Sequence, residues 1–225
     1  MKTGVIVQAR MSSQRLPDKV LTMVNGKPLL QYLLERLTHC SSIDQIVVAT
    51  SEDKSDDPIA VFCHEYGVLC FRGPLKNVAK RFYMALEKYN LDAFVRVCCD
   101  SPMLDQKLIE QGVKLFNREC DLVTNTLPRS YPVGQSVEVV SSSTFKKIYE
   151  KMSRPDHFEH VTKYYYEHSD EFRIKNFSND KDLSSYRLVV DTPEDLKRIV
   201  KIIGSMTRPH TEYRFDDFIE LYPSS

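Results

Sequence analysis

The sequence predicts an α/β protein with a mainly parallel sheet, and three observations favour this class. Short apolar runs alternate with segments of helical periodicity along the first half of the chain, which is the pattern of β-α-β units. The length of 225 residues suits one domain with a buried core. Hydrophobic residues make up 42% and charged residues 28%, as in ordinary globular proteins. We therefore expect a single domain spanning residues 1–225.

The predicted elements follow from these local patterns. Residues 5–7 (Val-Ile-Val) predict the first strand, and Pro28 begins a helix whose leucines recur on one face. Thr192, followed by Pro193 and Asp195, begins a late helix. Further strands are expected at 46–49, 68–71, 93–99, 121–125, 137–140 and 187–190, and further helices through 59–63, 78–86, 157–166 and 212–221. The less regular second half is expected to hold a small lobe or dimer arm.

Composition excludes several classes of function. Lys and Arg number 31 and Asp and Glu also 31, so the chain has no general attraction to nucleic acid or anionic membranes, and we expect neither as a partner. The seven glycines are too dispersed for a glycine-rich phosphate loop. The six cysteines contain no C-x-x-C pair, which predicts free thiols and a cytoplasmic location.

A cationic loop follows the first predicted strand, at the end where parallel sheets bind ligands. Residues 9–19 contain Arg10, Arg15 and Lys19 together with the pair Ser12-Ser13. Hydroxyls, backbone N–H groups and cations of this kind suit a polyphosphate. On spacing alone, a solvated basic loop fits equally well.

Two aspartates follow predicted strands in the same way. Asp100 ends the apolar run 93–99, and Asp191 follows 187–190. Asp100 alone fits a helix cap as well as a metal ligand, whereas Thr192 already supplies the cap beside Asp191. Because Mg²⁺ takes one or two carboxylates and completes its shell with phosphate oxygens and water, the pair predicts a shared magnesium site.

In five ordered blocks, the chain resembles the cytidylyltransferases that activate acidic sugars as CMP conjugates, in particular the branch of spore coat polysaccharide biosynthesis protein F. The blocks are 9–19, Arg72-Gly73 with Val78 and Arg81, Arg96 with 100–102, 159–162 and 191–196. The resemblance spans nearly the whole chain. It implies a Rossmann-like nucleotide-diphospho-sugar transferase fold and a homodimer.

The resemblance also implies a function: Mg²⁺-dependent transfer of CMP from CTP to a sugar or sugar-like acceptor, with release of pyrophosphate, in surface polysaccharide biosynthesis. Residues that would hold the nucleotide are Ala9, Arg10, Ser12, Ser13, Arg15 and Lys19, with Arg72 and Arg96 for base, ribose or the acceptor's acidic group. Residues that would act in catalysis are Arg15, Lys19 and Asp100, and Mg²⁺ would lie on Asp100 and Asp191. Residues that would bind the acceptor are Gln135, Ser136, Glu138, Glu159 and His160.

Departures from the branch pattern concern three places. Residues 134–138 read Gly-Gln-Ser-Val-Glu where the branch has Gly-Leu-Asp-Val-Glu, so Ser136 replaces a carboxylate in the expected acceptor pocket. Lys76 and Asn77 replace acidic residues, and Asp18 replaces a glycine before Lys19. The change to Asp18 matters if the backbone there needs positive φ, which glycine adopts most readily.

Two alternative functions remain open at this stage. Ser136 and Asn77 fit a nucleotide-binding module without turnover, because each replaces a carboxylate. Asp180-Lys181-Asp182 matches the D-x-D of glycosyltransferases that use a nucleotide sugar, although turn-forming residues around it favour a solvated loop. Spacing alone does not distinguish cytosine from uracil, and it leaves the acceptor unidentified.

Overall fold

A seven-stranded sheet forms the centre of the protein in a computed structural model that describes residues 1–13 and 15–223. The strands are β1 (Thr3–Gln8), β2 (Met23–Val24), β3 (Lys27–Pro28), β4 (Gln45–Ser51), β5 (Leu69–Gly73), β6 (Ala93–Cys98), β7 (Leu122–Thr124), β8 (Glu138–Ser141) and β9 (Ile174–Asn176). The order in the sheet is β5-β4-β1-β6-β8-β7-β9, and β2 and β3 form a separate antiparallel pair. Strands β5, β4, β1 and β6 are parallel, whereas β8 is antiparallel to both β6 and β7. The predicted α/β class with a mainly parallel sheet is therefore confirmed.

The described part of the chain has nine α-helices; most pack on the two faces of the sheet, whereas the last two belong to a third apolar cluster with Leu29 and Leu188. They are α1 (Leu29–Leu37), α2 (Asp57–Tyr66), α3 (Val78–Tyr89), α4 (Gln106–Leu115), α5 (Ser142–Tyr149), α6 (Pro155–Glu159), α7 (Lys163–Glu167), α8 (Pro193–Gly204) and α9 (Phe215–Glu220). Thr192 begins α8 with a capping box completed by Asp195. Asn77 caps α3 by accepting a hydrogen bond from the Lys80 backbone N–H at 2.7 Å. Asn77, which replaces an acid of the branch pattern, therefore provides a hydrogen-bond acceptor for a free N–H group at the start of α3.

Alternation along β1 divides the core into two layers. Val5 and Val7 are fully buried among side chains of α1, α2 and α4, while Ile6 points to the opposite face with Phe82 and Phe94. A strand buried on both faces explains the continuous apolar run of its sequence. Each such side chain contributes about 1.5–3 kcal/mol by leaving water, so β1 is fixed firmly at the centre of the sheet.

The second half of the chain extends the sheet, where the sequence predicted a small lobe or dimer arm. Strands β7, β8 and β9 continue the sheet beyond β6. The strand expected at 187–190 is instead an extended segment with one isolated bridge, between Val133 and Arg187. This segment lies against the loop that follows β6, where the Val190 N–H donates to the Asp100 carbonyl at 2.7 Å. Apolar composition alone does not distinguish such a segment from a sheet strand.

Gly134 allows this crossing. Its φ is +98°, and a Cβ placed there would lie 2.6 Å from the carbonyl carbon and oxygen of Leu188. Only glycine tolerates both the backbone conformation and the contact. Gly134 therefore brings the segment that leads to Asp191 against the loop before β8.

The carboxyl-terminal part of the chain is attached to α1 by a buried arginine. Arg36 is fully buried and donates to the backbone carbonyls of Leu104 at 2.7 Å, Tyr213 at 2.8 Å and His210. One guanidinium therefore satisfies carbonyls from two distant loops. Across the described residues, no helix is both long and apolar enough to cross a membrane.

Glu35 supports the same attachment, and its pKa makes the attachment dependent on pH. Burial raises its pKa, but hydrogen bonds from His210 at 2.6 Å, from Lys27 and from Gln31 outweigh burial and lower it from 4.5 to about 2. A carboxylate with a lowered pKa stabilises the fold above the pKa of the unfolded chain, and this stabilisation is lost as the pH falls through the folded value.

We expect Glu35→Gln to lower the free energy of unfolding by about 1–2 kcal/mol at pH 6, after allowance for partial solvent screening. The difference from the parent protein should shrink between pH 4.5 and pH 2, because both forms then lack the advantage of the ionised carboxylate. Melting temperatures across this range measure the effect, with Glu65→Gln on the exposed face of α2 as control. A difference that stays constant with pH would contradict the assignment.

Candidate active site

A cleft of about 580 Å³ opens at the carboxyl ends of β1 and β6. Residues that the sequence nominated and that line it are Arg10, Ser13, Arg15, Lys19, Arg96, Asp100, Glu159, His160 and Asp191. Four separate segments of the chain contribute to this group: the loop after β1, the strand β6 with its end, the residues around α6 and the segment before α8. The cleft lies where parallel sheets bind ligands.

Loop 9–19 is held in place by a buried carboxylate that the sequence analysis did not identify. Asp56 is fully buried, accepts from the Met11 backbone N–H at 2.7 Å and also accepts from both the N–H and the hydroxyl of Ser51. It therefore ties the start of the loop to the end of β4. Its position at the start of a helix is typical of an ordinary first-turn acid, so no sequence signal separates it from one. Gln14, within the same loop, lies outside the described residues.

Asp18 has a left-handed backbone conformation, the one with positive φ that glycine adopts most readily. Its φ is +59° and its ψ 7°, in the region where glycine is at ease and aspartate is tolerated. Its N–H donates to the Met11 carbonyl at 3.1 Å, which closes the loop on itself. Aspartate here preserves the turn that directs Lys19 into the cleft.

Lys19 lies at the centre of the site. Its Nζ is 2.7 Å from the Val190 carbonyl, 2.9 Å from Asp191 Oδ1 and 3.5 Å from Asp100 Oδ2. Burial lowers the pKa of Lys19, but the two carboxylates outweigh burial, so its pKa lies above the usual value. The ammonium group therefore stays charged and draws two strand-end carboxylates toward one point.

Asp100 has a pKa above the usual value of an aspartate. Burial raises its pKa, the charge of Asp191 raises it further, and Lys19 and Ser101 partly oppose both effects. Two carboxylates in one partly dry cleft repel each other, and a cation between them relieves that repulsion. Lys19 is the cation that holds Asp100 and Asp191 together in this structure.

Arg10 and Arg15 are also paired with carboxylates of the cleft. Arg10 Nη2 lies 2.9 Å from Glu159 Oε1, and Arg15 Nη2 lies 3.1 Å from Asp191 Oδ1. With Lys19, all three cations of loop 9–19 thus have acidic partners. An anionic ligand that enters must compete with these partners for the same N–H groups.

Arg96 and Glu138 form a buried pair beside the cleft. Arg96 Nη1 donates to Glu138 Oε2 at 2.8 Å, and Glu138 Oε1 accepts from Thr162 at 2.8 Å and Tyr166 at 2.5 Å. Burial raises the pKa of Glu138, but Arg96 and the two hydroxyls outweigh it and the pKa falls below its usual range. Because the charge of Arg96 is balanced by Glu138, Arg96 is poorly placed to neutralise an acidic group of a ligand.

A smaller cavity of about 190 Å³ adjoins the cleft, and we call it the side cavity. It shares Arg96, Cys98 and Asp100 with the cleft and continues to Ser136 and Arg129. Arg129 Nη2 donates to Ser136 Oγ at 3.0 Å. Arg129 was missed in the sequence because an arginine after Leu-Pro in a loop has no distinguishing pattern.

The structure places several nominated residues outside the surface of the cleft. The Arg72 guanidinium lies 2.8 Å from the Ser51 carbonyl and 2.7 Å from Asp57 Oδ1, so it braces the segment after β4. Gln135 is fully buried, and its amide donates to the Met103 carbonyl and accepts from the Asp105 N–H, both at 2.8 Å. Gln135 therefore supports the wall of the side cavity from behind. Ala9 is buried in the core, and Ser12 is exposed on the loop.

The residues present fit a magnesium ion. Asp100 and Asp191 are ionisable oxygen donors that converge on the same Lys19 ammonium group. Within residues 1–13 and 15–223, no group of three or more His, Cys, Asp or Glu side chains is arranged to hold a metal. A site with two carboxylates suits Mg²⁺, because this ion takes its remaining ligands from phosphate oxygens and water.

The D-x-D sequence in the second half lies away from this chemistry. Residues 180–182 are exposed, and Asp182 Oδ1 accepts from the Ser184 N–H at 2.9 Å. This is the side-chain-to-backbone bond of a turn-forming aspartate. The predicted solvated loop is therefore the arrangement that the structure has.

Comparisons with known proteins show the family and the fold. A family model described as cytidylyltransferase matches residues 4–216. Spore coat polysaccharide biosynthesis protein SpsF of Bacillus subtilis is 31% identical over 202 residues, which cover 86% of this chain and 83% of the relative. A cytidylyltransferase from Leptospira borgpetersenii superposes with a TM-score of 0.94 at 31% identity, covering 98% of this chain and 93% of that one.

A more distant solved structure shares the fold. CMP:2-keto-3-deoxy-manno-octonic acid synthetase complexed with CTP superposes with a TM-score of 0.70 at 18% identity, covering 91% of this chain and 99% of that one. The family model spans nearly the whole chain and includes all five sequence blocks identified above. The chain therefore belongs to the cytidylyltransferase family of enzymes.

Proposed function

We propose that this protein is a Mg²⁺-dependent enzyme that transfers CMP from CTP to a hydroxyl of a sugar or sugar-like acceptor and releases pyrophosphate. The observation that carries the proposal is the convergence of Lys19 with Asp100 and Asp191 in one cleft beside the cationic loop 9–19. Membership of the cytidylyltransferase family supports the nucleotide. The relative named for spore coat polysaccharide biosynthesis supports a role in making surface polysaccharides.

The triphosphate of CTP is expected to lie along loop 9–19. Arg10, Ser13 and Arg15 line this side of the cleft, and charge-assisted hydrogen bonds from guanidinium groups to phosphate are among the strongest available. Arg15 is largely exposed, at 66% of its side-chain surface, so it can move onto the ligand. Glu159 and Asp191 hold these arginines until the phosphates replace them.

Asp100 and Asp191 would hold Mg²⁺ at the junction of the cleft and the side cavity. When bound, the ion would supply positive charge to the attacking and leaving oxygens of the transfer. Lys19 stays protonated between the two carboxylates, so it keeps them oriented before the metal arrives. Its own charge adds to the stabilisation of the phosphates.

The reaction breaks one bond and forms one bond at the α-phosphorus of CTP. The acceptor hydroxyl oxygen bonds to this phosphorus, the bond to the bridging oxygen breaks, and pyrophosphate leaves with that electron pair. The hydroxyl proton passes to water in the cleft. Such transfers depend on position and charge more than on covalent help from the protein, which fits a site composed of cations and carboxylates.

Nucleotide binding tests the proposal without knowledge of the acceptor. We expect CTP to raise the melting temperature more than UTP, ATP or GTP, and Mg²⁺ to enlarge the shift, because a ligand that binds only the folded state stabilises it by mass action. Purified protein is melted with each nucleotide, with and without Mg²⁺. A larger shift with another nucleotide, or no shift with any, would remove the basis for CMP transfer.

Asp100→Asn tests the metal site. We expect the variant to fold and to bind CTP, while the enhancement by Mg²⁺ disappears and pyrophosphate release falls roughly a hundredfold or more, because an amide replaces a charged ligand. Asp216→Asn on the exposed face of α9 removes the same charge away from the cleft and is the matched control. Retention of the Mg²⁺ effect in Asp100→Asn would place the ion elsewhere.

Glu159→Gln tests whether the carboxylates compete with the nucleotide. The variant frees Arg10 from an ion pair that is about one-third exposed, and exposed pairs are worth roughly 0.2–1 kcal/mol. We therefore expect CTP to bind about two- to fivefold more tightly, as measured by titration. Asp170→Asn removes an exposed charge near α7 and should leave the affinity unchanged. Weaker binding by Glu159→Gln would show that Glu159 orients Arg10 for phosphate.

A further inference from the structure

Two cysteines face each other beside one edge of the sheet. Cys63 lies in the last turn of α2 and is fully buried, and Cys70 lies in β5, the strand at that edge. Because successive side chains of a strand point to opposite faces and Phe71 packs with α3, Cys70 points to the other face, where Cys63 is part of the core. The Val68 N–H donates to the Cys63 carbonyl at 3.0 Å and fixes the turn between the two elements.

The two thiols form a hydrogen-bonded pair. This hydrogen bond raises the pKa of Cys63, and burial raises it further. The same bond lowers the pKa of Cys70 more than burial raises it, and the charges of Arg72 and Lys88 lower it further. The Cys70 sulfur is therefore the one that loses its proton more readily, while Cys63 keeps its own.

Cys70 can be reached from solvent, whereas Cys63 is enclosed. Cys70 is half-buried, and its neighbour Leu69 on the same edge strand is 40% exposed. Lys88 lies beside this edge, with its Nζ 5.7 Å from the centre of the Phe71 ring. Reactive thiols combine partial exposure with nearby positive charge, and a thiol that responds to peroxide often has a second cysteine within reach. The pair has both features.

We propose that Cys63 and Cys70 form a site of reversible oxidation, at which a peroxide converts the two thiols to a disulfide. Cys70 supplies the sulfur that attacks the peroxide, and Cys63 supplies the sulfur that closes the disulfide. The disulfide would join the end of α2 to the edge strand β5. Neither cysteine lines the cleft, so the inference is independent of the proposed function.

The oxidation proceeds in two steps. The Cys70 thiolate attacks one oxygen of the peroxide, the O–O bond breaks, and hydroxide leaves, so that the sulfur is oxidised to a sulfenic acid and the peroxide is reduced. The Cys63 sulfur then attacks the Cys70 sulfur, the S–O bond breaks, and the oxygen leaves as water with the proton of Cys63. The hydroxide takes up the proton that Cys70 released. With hydrogen peroxide, two thiols and one peroxide give one disulfide and two waters.

The other four cysteines provide internal references. Burial raises the pKa of Cys40 to about 12 and that of Cys98 to about 11, and it also raises the pKa of Cys99. A raised pKa keeps a thiol protonated and therefore slow to react. Cys120 is half-buried like Cys70, so it controls for exposure alone.

Peptide mass spectrometry tests the site on the whole protein. Trypsin releases residues 55–72 as one peptide, which contains Cys63 and Cys70 and no other cysteine. The reduced protein is treated with hydrogen peroxide and then unfolded in N-ethylmaleimide, which alkylates the remaining thiols. We expect this peptide to lose two hydrogens and to take up no maleimide, and dithiothreitol to restore both thiols. Cys120 should be oxidised roughly tenfold more slowly.

Variants assign the two roles. In Cys63→Ala, we expect oxidation of Cys70 to stop at the sulfenic acid, which dimedone traps. In Cys70→Ser, the enclosed Cys63 should stay reduced. Cys120→Ser is the matched control and should form the disulfide as the parent protein does. Melting temperatures of the reduced variants show whether each is folded at the temperature of the assay, and the peptide of the parent protein tests the disulfide without any variant.

Three results would overturn the inference: full alkylation of peptide 55–72 at a peroxide dose that oxidises Cys120, oxidation of Cys63 in Cys70→Ser at the rate of the parent protein, or a disulfide from either cysteine to a different one.

Discussion

The buried ammonium group of Lys19 is the interaction on which the site depends. Its bonds to Asp191 and the Val190 carbonyl, with Asp100 at 3.5 Å, join the loop after β1, the end of β6 and the segment before α8. These segments are far apart in sequence, since Val190 lies 171 positions after Lys19. Without the cation, two carboxylates would face each other in a partly dry cleft, and mutual repulsion would separate them. Gly134 and Asp18 supply the backbone conformations that let the segments meet at this point.

Ion pairs within the chain balance the charges of the cleft, and a nucleotide must compete with these pairs. Each cation of loop 9–19 has a carboxylate partner, so the side chains of the cleft together carry little net charge. A triphosphate with its metal brings both signs of charge and can exchange partners with both sets of residues. The free energy of binding is then the difference between the ion pairs within the chain and the ion pairs with the ligand. Such an exchange contributes more to specificity than to affinity. The whole chain likewise has a formal net charge of zero.

Sequence patterns predicted the parallel half of the fold because each of its strands is a short buried run followed by a polar loop. The same patterns also identified most residues of the cleft, because these residues directly follow the strands. Residues that act through long-range contacts left no such pattern: Asp56 looks like a helix-start acid and Gln135 like a loop amide, yet both are buried supports. The segment 187–190 has the composition of a strand. It lies outside the sheet because its bridge partner, Val133, belongs to a loop and not to a strand.

The three departures from the branch pattern differ in consequence, and their positions explain why. Asn77 still caps α3, and Asp18 still adopts the left-handed turn, so both preserve the backbone on the nucleotide side. Ser136 accepts a hydrogen bond from Arg129 and carries no charge, whereas the branch pattern has an acid at this position. The departures leave Asp100, Asp191 and the cations of loop 9–19 unchanged. The sequence has therefore kept the residues expected to act on the nucleotide and has changed the charge at Ser136, where the resemblance implies the acceptor pocket.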